Sequence, residues 1–148
     1  PREKGMLGFS QSEVTPEYLT TKQKMEEQIM VCMGGRAAEQ VFCSDITNGA
    51  SNDIEKASEL ATQYIKIFGF GHHKFFNQYN NDAYKNDISN HIKDHTDKEV
   101  VSLLNDLYTT TMDLIIENKV HIEKMKVQLL EKNTIYFEDI ENIVKKSD

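Results

Sequence analysis

Ile29-Met30-Val31-Cys32-Met33-Gly34-Gly35-Arg36-Ala37-Ala38 is apolar or glycine at every position except Arg36. No proline follows Pro16, so nothing in this run or after it breaks a helix by removing a backbone donor. The stretch reads as helix, and its all-round hydrophobicity predicts a helix buried on every side. Thr20 or Thr21 is placed to cap it, and the apolar spacing of Met25, Ile29 and Met33 carries it to about Phe42. The pair Gly34-Gly35 costs about 1 kcal/mol per residue relative to alanine in a helix interior. Close packing against another helix is the expected reason for it.

Downstream, Cys43 to Ala50 is a connection, and Ser51 or Asn52 is expected to cap a second helix over Asp53 to Phe68. Ile54, Ala57, Ser58, Ala61, Ile65 and Phe68 recur at three- and four-residue steps and form its core face. Gly69 is placed to end the helix, with Phe70 making the apolar contact that accompanies such ends. Residues 71–95 are rich in Asn, Asp, His and Tyr without a clear period, and read as a long loop or partly ordered hairpin. Thr96-Asp97-Lys98-Glu99 has the form of a capping box. Three further helices are expected after it: one to about Asn118, then His121 to Glu131, then Phe137 to Lys145. Upstream, Gly5-Met6-Leu7-Gly8-Phe9 reads as a short strand and Ser12 to Pro16 as a polar loop. The fold class is therefore mainly α, with a small strand-containing N-terminal end. It divides into 1–20 (strand and loop), 21–70 (two helices), 71–95 (variable loop) and 96–148 (C-terminal helices).

Composition narrows the function. At 148 residues the chain has the length of one domain, and such a chain buries roughly 70% of its unfolded surface. A net charge of −7 argues against a general nucleic-acid binder, which needs clustered Lys and Arg. No apolar run approaches the roughly 20 residues of a membrane span, and no apolar stretch follows the charged start as in a signal peptide. Cys32 and Cys43 lack metal-knuckle spacing, and so few cysteines favour a reducing compartment over a disulfide framework.

Three sets of residues could carry chemistry. His91 and His95 have the four-residue step of a helical zinc pair, but Ile92 stands where zinc peptidases place a general-base Glu. A polar surface is the better reading there, as it is for His72-His73. Arg36 and Glu39, three apart beside a buried helix, read as a structural ion pair or as a functional pair. Asp53 reads as an acid favoured by the helix N-terminus or as a ligand.

Gly34-Gly35-Arg36-Ala37-Ala38-Glu39, followed by Thr47-Asn48-Gly49-Ala50-Ser51-Asn52-Asp53-Ile54, resembles the peptidase domain of the FtsH-type AAA zinc metalloproteases. Pro1-Arg2 with Gly5 to Phe9 resembles the strand ahead of these motifs, and Leu129 to Ile135 is similar to a C-terminal helix-turn of the family. The resemblance covers residues 1 to about 70 and about 96 to 145. It implies a zinc ion held by two histidines of His-Glu-x-x-His and a distant aspartate, which matches Asp53. It implies that Glu39, with Arg36 beside it, supports the site by orienting a ligand histidine. It implies that Met6, Leu7, Gly8, Phe9, Ser10 and Gln11 form a substrate-facing edge to which an extended polypeptide adds as a strand.

The chain departs from the family in lacking His-Glu-x-x-His, and Asn48 stands where the family usually has Thr. The motif is expected a few tens of residues before Pro1, together with an ATPase module using ATP and Mg and with membrane anchors. No catalytic residue is assigned within these residues, and the chain alone is expected to be inactive. The whole protein is expected to be a homo- or hetero-hexamer acting on polypeptides in an organelle inner membrane. Mitochondria are the first choice, with plastids or a bacterial plasma membrane as alternatives. The rival reading is a non-enzymatic helical oligomerisation or interaction module.

Overall fold

Thr21 starts the first helix in the computed structural model, which describes residues 11, 19–43, 45–72 and 90–145, the side chains of 90 and 91 excepted. Its hydroxyl accepts the Lys24 N–H at 3.2 Å, and helix α1 runs over Lys22–Phe42. A 3₁₀ turn, Asn48–Ala50, leads directly into α2, Ser51–Lys66. Three further helices follow among the described residues: α3 over Asn90–Glu117, α4 over Lys119–Lys132 and α5 over Phe137–Lys145.

Helices α1, α2 and α3 pack on one another. One cluster joins Ile29 and Met33 of α1 to Ala57 and Ala61 of α2, with Leu103, Leu104 and Leu107 of α3 against it. A second joins Met25 to Tyr64 and Ile65, with Phe70 folded over it. The alanines at a four-residue step keep α2 thin where α1 crosses it, and in that cluster the large buried side chains, Ile29 and Met33, come from α1. The Tyr64 ring, 2% exposed, meets Phe70 edge-on with centroids 5.3 Å apart, and its hydroxyl donates to Glu26. Burial, then that hydrogen bond, push the Tyr64 hydroxyl pKa far above its ordinary value.

Several sequence expectations change. Helix α1 is buried along one stripe, not all round: Ile29 is 0% exposed but Val31 is 80% exposed. The stripe Met25, Ile29, Met33, Ala37 follows the helical period, so composition overstated burial by ignoring what lies outside each face. Close packing does not explain Gly34-Gly35 among the described residues, because a Cβ built on either would meet nothing within 4 Å. Neither Ser51 nor Asn52 caps α2; its cap position is Ala50, which has no side-chain capping bond. Ile54 and Phe68, placed on the core face by spacing, are exposed, and Tyr64 fills the core in their stead. Gly69 ends the helix as expected, at φ 64°, where a Cβ would be strained.

The capping box at Thr96 is also overturned. Helix α3 is already formed at Asn90, so Thr96 lies inside it. Its buried hydroxyl donates back to the Ile92 and Lys93 carbonyls at 3.0 Å each, the usual habit of a mid-helix threonine. Glu99 turns outward from the helix backbone and accepts the His72 N–H at 2.9 Å, while Lys66 pairs with Asp97. These contacts fasten the end of α2 to α3. The expected strand is not supported: the described residues contain none, Met6 to Ser10 lie outside them, and Gln11 is exposed without regular structure.

Helices α4 and α5 form a hairpin joined to the core mainly through α3, with only Asn118 between α3 and α4. Lys119 lies 5.6 Å above the Phe42 ring and touches the hairpin base to α1. Asn133 ends α4 in the left-handed region at φ 60°. Asp139 accepts from Lys132 at 2.8 Å and from the Tyr136 N–H at 3.0 Å, closing the turn. These bonds, Lys132 first, hold the Asp139 carboxyl below its ordinary value. A folded value below the unfolded one stabilises at neutral pH, and that contribution is lost as pH falls through the folded value. Thermal unfolding followed from about pH 7 to about pH 3 is therefore expected to show Asp139→Asn less stable than wild type at neutral pH, the gap closing in acid.

Candidate metal centre

Asp53 lies in the first turn of α2, with its carboxylate half-exposed. Lys56 approaches it at 3.7 Å, a loose and solvated pair. The carboxylate is thus open to a ligand instead of being locked into the core. Cys32 of α1 faces the same region: burial, then the Asp53 charge, push its thiol pKa up, while Lys56 works against this. Eleven residues of helix set Cys32 and Cys43 about 16 Å apart, too far for a disulfide. Both are free.

Behind Asp53, Arg36 and Glu39 do not serve as the ion pair their spacing suggested. Both reach from α1 to Thr47. The Arg36 guanidinium donates to the Thr47 carbonyl at 2.9 Å. One Glu39 oxygen accepts the Thr47 hydroxyl at 2.6 Å, and the other accepts the Thr47 N–H at 3.3 Å. The same hydroxyl accepts the Gly49 N–H at 3.2 Å, which shapes the 3₁₀ turn. A Cβ on Gly49 would sit 3.2 Å from that oxygen, so glycine gives the turn room to close. Sequence reasoning assigned Thr47 no role. The available signal was a threonine two residues before a glycine at a helix start, the form of a local side-chain turn.

The donor set fits a metal only as a contribution to a larger site. No group of three or more His, Cys, Asp or Glu that could hold an ion occurs among the described residues. His95 and His72 are exposed, while the side chain of His91 and all of His73 lie outside the described residues. Of the expected substrate edge, Met6, Leu7, Gly8, Phe9 and Ser10 lie outside them too. The structure brings together Arg36, Glu39 and the loop leading to Asp53, and among the described residues no histidine joins them.

A family model described as peptidase family M41 matches residues 1–143. The chain belongs to peptidase family M41. Among M41 relatives, the ATP-dependent zinc metalloprotease FtsH of Clostridium perfringens is 33% identical over 152 aligned residues, covering 97% of this chain and 21% of its own length. FtsH 1 of Methylacidiphilum infernorum is 29% identical, with 98% and 24% covered. The mitochondrial FTSH 10 of Arabidopsis thaliana is 30% identical, with 97% and 18% covered. The chain thus spans about a fifth of the length of the curated M41 relatives it matches, which come from bacteria and from mitochondria. No helix among the described residues is long and apolar enough to cross a membrane.

Proposed function

We propose that these residues are the greater part of the proteolytic domain of an ATP-dependent zinc metalloendopeptidase. Asp53 supplies one carboxylate ligand to zinc, and a His-Glu-x-x-His segment outside the 148 residues supplies two imidazoles and the general base. The observation that carries the reading is the half-exposed Asp53 in the first turn of α2, just after a loop gripped by Arg36 and Glu39, in a chain whose residues 1–143 match M41. Two imidazoles and one carboxylate leave a fourth position open, the arrangement of catalytic rather than structural zinc. Zinc bound there would polarise the scissile carbonyl as a Lewis acid and make water a better nucleophile. This chain's own part is to hold Asp53 in place, and to present Met6 to Gln11 as an edge for extended polypeptide. The C-terminal helices serve as scaffold and subunit contact.

The whole protein is proposed to be membrane-anchored and hexameric, with an ATPase module that uses ATP and Mg to unfold and feed unfolded or membrane proteins. Its proposed location is an organelle inner membrane, mitochondrial before plastid, or a bacterial plasma membrane. The full-length protein is expected to hydrolyse casein in the presence of ATP, to lose that activity to a zinc chelator and to regain it with added zinc. The 148-residue chain alone is expected to show none. Chelator-insensitive hydrolysis, or zinc-loaded full-length protein that cleaves nothing, contradicts the reading; the second result favours a non-enzymatic helical interaction module.

A further inference from the structure

We infer that Thr47 is a positioning residue for the Asp53 carboxylate, and that Glu39 and Arg36 act on the site through it. The inference rests on Asp53 being a metal ligand. Helix α2 has no side-chain cap of its own at Ala50, and every residue from Ser51 to Lys56 is exposed. The first turn, which carries Asp53, therefore gains little from packing before Ala57 enters the core. Its anchorage to α1 lies just before it. There Thr47 uses its N–H, its carbonyl and both the donor and acceptor capacities of its hydroxyl. Three of these bonds involve a charged partner, the stronger class of hydrogen bond.

From Thr47 the backbone passes through one 3₁₀ turn into α2 without a flexible break. Fixing Thr47 on α1 thereby fixes the first turn and the carboxylate on it. Glu39 spends an oxygen on each of two Thr47 donors, so its observed role is to hold this loop. Valine has the shape of threonine without the hydroxyl: it strands the Glu39 oxygen and the Gly49 N–H. Serine keeps both bonds.

The test uses the full-length protein and two readouts. In Thr47→Val, zinc affinity measured by competition with a chelator is expected to fall about 10–100-fold, the range typical of groups that support a ligand. In the zinc-free protein, amide exchange at Gly49 to Asp53 is expected to quicken at least about tenfold, while protection in α3 stays as in wild type, which separates loop release from unfolding. Thr47→Ser is expected to match wild type in both. If Thr47→Val binds zinc and protects Gly49 to Asp53 as wild type does, while Asp53→Asn loses zinc, the positioning role is wrong and the metal reading stands. If Asp53→Asn keeps its zinc, both are wrong.

Discussion

Asp53→Asn in the full-length protein is expected to lower peptide hydrolysis by more than the roughly 10–100-fold typical of losing a group that only supports a metal ligand. Asparagine keeps the shape of the side chain and removes its charge. An amide oxygen is a weaker donor to zinc than a carboxylate, and the positive charge of the ion goes uncompensated. The same change should cost little stability. The Asp53 carboxylate is half-exposed, and its pair with Lys56 at 3.7 Å is of the solvated kind worth about 0–1 kcal/mol. Activity and folding are therefore separable at this position: hydrolysis collapses while the melting temperature moves by a few degrees at most. A protein that loses both together would mean that Asp53 holds the fold, not the metal.

Ile29→Ala is expected to be the most damaging simple truncation in the core. Ile29 is fully buried where α1 meets Ala57 and Ala61, and those alanines are too small to close over the space left behind. Truncations of this kind cost about 2–5 kcal/mol, against a total stability of about 5–15 kcal/mol for a domain. The neighbouring Val31→Ala removes an apolar side chain that is 80% exposed and should change stability by less than about 0.5 kcal/mol. Urea unfolding of the 148-residue chain measures both. Equal losses would show that α1 is covered on both faces, contrary to the single buried stripe.

The contrast between Ile29 and Val31 shows where the sequence was legible. Helical period and the absence of proline located α1, α2 and the C-terminal helices, and the bounds of α5 coincide with those read from Phe137 to Lys145. Such signals are local, so they survive without knowledge of neighbours. What failed depended on neighbours or on competing local bonds. Hydrophobicity at Val31 does not say whether anything packs there. Thr96 satisfies the pattern of a cap, yet its hydroxyl finds carbonyls in a turn formed by the polar, aperiodic residues before it. The site divides in the same way. Asp53 stood out only through its resemblance to a known motif, since spacing alone favoured a helix-terminal acid. Arg36 and Glu39 were legible as charges needing partners beside a buried stripe. Their partner was not, because the Thr47 bonds span eight and eleven residues across a loop that has no period.

The most direct test is the zinc content of the purified full-length protein and its Asp53→Asn variant, measured by elemental analysis after dialysis against metal-free buffer. About one zinc per chain is expected in the wild type, from a three-ligand catalytic site, and close to none in the variant. Zinc retained in full by Asp53→Asn would remove Asp53 from the site.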